Sequence, residues 1–135
     1  MAYKIVEIEG IGPAIGEKLI QAGIDTVEQL LERGASKKGR QELAATTGIA
    51  ESKILSFVNM ADMFRIKGIS TQRSELLHAC GVDTVVELAT RKPENLHAKM
   101  KEVNDEKNLV GQIPSLGQVQ DFVDQAKSLA RVVTH

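Results

Sequence analysis

The chain has one cysteine, one tyrosine, three phenylalanines and no tryptophan in 135 residues. The single Cys80 rules out an internal disulfide, and no Cys/His spacing resembles a zinc site. So few aromatics leave no stacking platform for unpaired bases, the usual means of holding a single strand. No apolar run approaches the roughly 18 to 20 residues of a membrane span. The opening Met-Ala-Tyr-Lys-Ile-Val-Glu lacks the apolar stretch of a secretory signal, so the expectation is a cytoplasmic protein without membrane contact. An excess of either charge is also missing. Seventeen Lys and Arg against 18 Asp and Glu leave a net charge of -1 and a pI near 6.3, whereas nucleic-acid domains usually carry a basic surplus. His78, His97 and His135 are scattered without partners at ligand spacing, and Cys80 stands just ahead of a helix-ending glycine. Neither an enzyme nor a bound metal or cofactor is expected.

What the chain does have is a repeat. Placing Ile8 to Gly34 on Ile66 to Lys92 without a gap pairs Ile8, Gly10, Ile11, Glu17, Leu19, Gly23, Asp25, Thr26, Val27, Leu30 and Arg33 with identical residues 58 positions later. A fixed offset with that many identities marks a duplication. The shared core reads Ile-Glu-Gly-Ile-Gly-Pro and then Ile-Lys-Gly-Ile-Ser-Thr. Each is followed by a helical pattern, and then by Gly-(Ile/Val)-Asp-Thr-Val opening another helix. This is the grammar of a helix-hairpin-helix. The division falls at residues 1–64 and 65–135, two copies expected to pack as one body.

The hairpin residues have a physical task. Reversing direction over so few residues needs backbone angles open to glycine, which Gly10 and Gly12 supply around Ile11. Pro13 fits the first helical position, where its missing amide proton costs nothing. The free amides of that first turn and the positive end of the helix dipole make a ready anion site. The competing reading is a tight turn and no more.

Short helices follow one another between clear stops. Pro13 to Ala22 places Ile15, Leu19 and Ala22 on one face, and Gly23 suits a left-handed C′ position. Thr26 with Gln29, and Thr84 with Glu87, have capping-box spacing. Ile54, Phe57, Val58, Ala61 and Phe64 recur at helical intervals, as do Val119, Phe122, Val123, Ala126 and Leu129. The offset there is 65, so the second copy carries seven extra residues, placed within Lys99 to Pro114 by a longer helix from Pro93 and a loop. Thr47-Gly48-Ile49-Ala50 and Gln112-Ile113-Pro114-Ser115 form a second, degenerate hairpin in each copy. Tyr3 to Glu7 and Arg131 to Thr134, with β-branched residues, are expected to pair as short strands or simply to pack.

Several runs carry a family resemblance. Gly34-Ala35-Ser36-Lys37-Lys38-Gly39-Arg40, Thr47-Gly48-Ile49, Val58-Asn59-Met60-Ala61-Asp62 and Arg65-Ile66-Lys67-Gly68-Ile69 resemble an uncharacterised bacterial family of tandem helix-hairpin-helix repeats. The likeness continues through Asn95-Leu96-His97-Ala98-Lys99 to Gln125-Ala126-Lys127. The family is catalogued as a domain of unknown function. The resemblance implies an all-α fold of duplicated helix-hairpin-helix units, and DNA binding by analogy with related hairpin domains. In the second hairpin Ser70 stands where such proteins carry glycine.

Charge distribution completes the reading. Arg33, Lys37, Lys38 and Arg40 lie in a stretch without acids, and so do Arg65, Lys67 and Arg73. With Ser36 as N-cap, Lys37, Lys38 and Arg40 open a helix at its positive end, an arrangement that a bound anion would relieve. The alternative is a solvated basic loop. The first hairpin has the better glycines but is flanked by Glu7 and Glu9; the second is more basic but has the poorer glycine pattern. The expected function is therefore weak, sequence-independent binding of duplex DNA. Its contacts would be Gly10, Ile11, Gly12 and Lys18, the loop cations Lys37, Lys38 and Arg40, and Lys67, Gly68, Ser70 and Arg73. The alternative is a protein-interaction or scaffold module that binds no nucleic acid.

Overall fold

The structure is a computed structural model that describes residues 4–8 and 10–134. Tyr3, Glu9 and His135 lie outside the described residues. A single 3-10 turn, Ile5–Glu7, precedes α1 (Pro13–Gln21), α2 (Val27–Gly34), α3 (Lys37–Thr47) and α4 (Glu51–Met63). Four more helices follow: α5 (Thr71–Ala79), α6 (Val85–Ala89), α7 (Pro93–Lys107) and α8 (Leu116–Ser128). Among the described residues the chain is all-helical, with eight α-helices and no strand. No helix among them is long and apolar enough to cross a membrane.

The helix ends follow from short-range chemistry. Gly12 precedes Pro13 at the first helical position of α1. Thr26 accepts the Gln29 amide in a reciprocal capping box, Ser36 accepts from Gly39, Thr84 from Glu87, and Ser115 pairs reciprocally with Gln118. α1 and α5 end alike. Gly23 and Gly81 stand at φ 89° and 87°, and the Ile24 and Val82 amides both reach back 2.9 Å to the carbonyls of Leu19 and Leu77. A side chain at either glycine would be strained in that backbone conformation.

Two compact units result, one made of Met1–Asp62 with Val132–His135, the other of Met63–Arg131. In the first, α1 packs on the 3-10 turn and α2 on α3. Gly39 is obligatory there, because a Cβ would lie 2.1 Å from the Arg33 carbonyl oxygen. In the second, α8 lies against α6 and α7, and α5 against α7. Its core is one cluster that includes Ile69, Leu76, Leu77, Leu88, Met100 and Phe122. Corresponding residues fill both units: Ile54, Phe57, Val58 and Ala61 of α4 are buried, as are Val119, Phe122, Val123 and Ala126 of α8. The additional residues of the second copy fall in α7, 15 residues against 11 in α3, and in the loop 108–115.

Of the two expectations for the terminal segments, packing is the one the described residues match, with Ile5 and Val133 buried. The terminal β-branched segments do not pair as strands among the described residues. Lys4 instead forms an isolated bridge with Thr26, and the Thr134 amide donates to the Ala35 carbonyl at 2.8 Å. The C-terminal residues thus belong to the first unit, which a cut at residue 64 does not reveal.

Candidate nucleic-acid interface

The turn ahead of α1 is built from its glycines. Gly10 has φ 91°, open to glycine, and the Ile11 amide closes the turn on the Ile8 carbonyl at 3.1 Å. Ile11 is buried, so its side chain anchors the turn. Gly12 is exposed, at φ -82°, and a Cβ there would meet nothing within 4 Å. The fold therefore does not require glycine at this position. With no side chain to cap it, the first turn of α1 leaves the amides of Gly12, Ala14 and Ile15 without an acceptor among the described residues, and these carry the positive end of the helix dipole.

The turn ahead of α5 has the same backbone and different chemistry. Gly68 stands at φ 96°, with the Phe122 ring so close that a Cβ would come within 2.9 Å. Ser70 takes the place of Gly12, and its hydroxyl accepts the Arg73 amide at 3.5 Å. One first-turn donor is thus satisfied internally. Gln125 clamps the turn from α8: the Lys67 amide donates to its Oε1 at 2.9 Å, and its Nε2 donates to the Lys67 carbonyl at 3.1 Å. The repeat offers no sign of Gln125, whose counterpart in the first copy is Met60.

The cations divide by type. Arg40, only 2% exposed, donates through Nη1 to the Gly34 and Ala35 carbonyls and through Nη2 to that of Thr134. Arg33 and Arg91 donate to the carbonyls of Ala22 and Gly81, just past α1 and α5. Arg65 donates to Ala130, and Arg73 to Gly68. A delocalised guanidinium suits such multiple carbonyl contacts. The two basic stretches are consequently less available than their composition implies, and Arg40 is not an open anion ligand. Lys18, Lys37, Lys38 and Lys67 are exposed.

Within the first unit, Lys18 is not gathered with Lys37 and Lys38. Lys18 borders a surface cleft of about 250 Å³ with Gln21, Ala22, Thr46 and Thr47, at the C-terminal end of α3. Lys37 and Lys38 open α3, so about 15 Å of helix separates them from that cleft at 1.5 Å of rise per residue. Ser36 caps α3 as its sequence foretold. Lys37 also lines a second cleft of about 420 Å³ with Arg40, Glu51, Ser52 and Leu55.

The family model described as a domain of unknown function, DUF4332, matches residues 9–129. The chain belongs to that family. No match was found among the curated proteins or the solved structures. In this DUF4332 chain no group of three or more His, Cys, Asp or Glu side chains is placed to hold a metal ion among the described residues. Cys80 is buried, and burial raises its thiol pKa against the opposing pull of Lys99 and Arg91. A thiol held protonated is a poor nucleophile.

Proposed function

We propose that the protein is a binding module, not an enzyme, that holds duplex DNA weakly and without sequence preference through tandem helix-hairpin-helix units. The supporting observation is the uncapped start of α1. In the sister copy a serine caps the same position, so the scaffold accepts a cap there, yet Gly12 leaves the first-turn amides free for a phosphate. Gly10 and the backbone of Ile11 shape that hairpin, with Lys18, Lys37 and Lys38 as outlying cations. At the second hairpin Lys67 adds charge beside Gly68, while Ser70 takes up the Arg73 backbone amide and leaves fewer first-turn donors.

A salt titration tests the reading. Contact with two to four phosphates gives a log-log slope of roughly -2 to -4 at about -0.9 per phosphate, with micromolar or weaker affinity at physiological salt. Duplexes of different sequence should bind alike, since phosphate contacts carry no sequence information. Absence of duplex binding by the folded protein at about 50 mM salt, where phosphate contacts are strongest, would overturn the proposal. The second reading, a protein-interaction module, is favoured by the net charge of -1 and by Val6 and Ile20, which stand 50% and 49% exposed in the first unit. It becomes the better account if that binding is absent.

A further inference from the structure

Arg73 does more than hold a turn. Its side chain donates from Nη1 to the Gly68 carbonyl at 2.8 Å, and its guanidinium carbon lies 5.9 Å from the centroid of the Phe122 ring. A guanidinium has five N–H donors in a planar fork, so most of them remain unused among the described residues. The group lines a cleft of about 300 Å³ together with Gln112, Ile113, Ser115 and Gln118. Ser115 and Gln118 are already turned on each other: the Ser115 amide donates to Gln118 Oε1 at 2.9 Å, and the Gln118 amide to Ser115 Oγ at 3.2 Å. With its oxygen so engaged, Gln118 presents Nε2, a donor. Gln112 is exposed and adds a second carboxamide. Among the described residues the lining thus offers a fixed cation and amide donors, and no carboxylate.

The duplication supplies the comparison. At offsets of 58 and 65 the sister positions of Arg73, Gln112, Ile113, Ser115 and Gln118 are Ile15, Thr47, Gly48, Ala50 and Lys53. An aliphatic residue therefore serves the same helix position in the other copy. Packing does not demand a guanidinium at residue 73.

We propose that this cleft is a phosphate-oxyanion site of the second unit, separate from the α1 hairpin. Arg73, fixed by Gly68 and the Phe122 ring, presents its fork to two phosphate oxygens, and the carboxamide N–H groups of Gln118 and Gln112 take a third. Bidentate guanidinium–phosphate pairing is among the stronger charge-assisted contacts. The volume stands at the small end of ligand pockets, enough for a phosphomonoester and part of its carrier. A phosphate in a nucleic-acid backbone has the same chemistry.

The test is an NMR titration of the full chain, observing the Arg73 Nε–H and the Gln112 and Gln118 carboxamides. The probes are inorganic phosphate, a nucleoside 5′-monophosphate and a short duplex, each against chloride at equal ionic strength. Saturable shifts at those side chains in the millimolar range, about -4 kcal/mol, are expected with phosphate. Arg73→Ile, which places at residue 73 the side chain of the sister position, should weaken binding tenfold or more, and Arg73→Lys several-fold. Gln112→Ala, at an exposed position, should weaken it a few-fold with the hairpin signals unmoved. Stronger shifts with the monophosphate than with the duplex identify a small-molecule site; the reverse identifies a nucleic-acid contact. Shifts equal to those in chloride, or Arg73→Ile binding as the wild type does, would sink the proposal. Signals from Gly12, Ala14 and Ile15 report separately on the hairpin, so either reading can fail alone.

Discussion

At Cys80 the surroundings set the direction of a measurable pH effect. Burial raises the thiol pKa, and Lys99 and Arg91 only partly offset it. Above the ordinary thiol value, about 8.5, the unfolded chain releases this proton while the folded chain keeps it. Stability is then full below that value and falls as pH climbs toward the folded pKa. Cys80→Ala, with the residue that the first copy carries at Ala22, should remove this part of the alkaline loss. Urea midpoints at neutral and alkaline pH check it, and parallel losses in both proteins would contradict it. The basic loop separates two kinds of cation in the same way. Arg40→Ala strands three carbonyl contacts at a buried site and should cost about 2–4 kcal/mol, the range for removing charged hydrogen bonds in the interior. Lys37→Gln with Lys38→Gln should leave thermal stability unchanged or slightly higher, since both cations oppose the dipole of α3, while any duplex affinity falls. Thermal melts beside binding curves separate the two effects.

Among the elements, α1 and α5 are the informative pair. Both have nine residues and follow a positive-φ glycine turn, but one begins at an open Gly12 and the other at a capping Ser70. Gly12→Ser transplants the cap into a space where a Cβ meets nothing within 4 Å. It should raise stability by a few tenths of a kcal/mol, the usual margin of serine over glycine at an N-cap, and should lower duplex affinity by occupying an amide. Affinity unchanged after the cap has formed would remove the hairpin amides from the interface. α4 and α8 show the conservative side of the duplication. Each has 13 residues and buries its four matching apolar positions, so the scaffold repeats while the helix starts diverge.

For the whole molecule, the C-terminal residues carry a prediction. Val132–His135 belong with the first unit, where the Thr134 carbonyl accepts from Arg40 and its amide donates to Ala35. Removing residues 132–135 should lower the melting temperature, because it takes away buried Val133 and leaves Arg40 Nη2 without its acceptor. In the shortened chain Arg40→Ala should then cost less than in the full one, a coupling expected of directly bonded groups. Additive losses would show that the contact contributes nothing.

The sequence by itself determined what is local or repeated. The glycine turns, the caps at Thr26, Ser36 and Thr84, the left-handed Gly23, the stripes of α4 and α8 and the placement of the extra residues all rest on neighbours a few positions apart or on a visible offset. Tertiary structure decided which charges face outward. Arg33, Arg40, Arg65 and Arg73 read as basic patches, yet each guanidinium is drawn to a backbone carbonyl, up to 94 residues away for Arg40 and Thr134. The Gln125 clamp on Lys67 spans 58 residues, and the first copy carries Met60 in place of Gln125. Such pairings form only when the helices have packed, because a carbonyl acceptor exists at every residue and composition says nothing about which one a long side chain will reach.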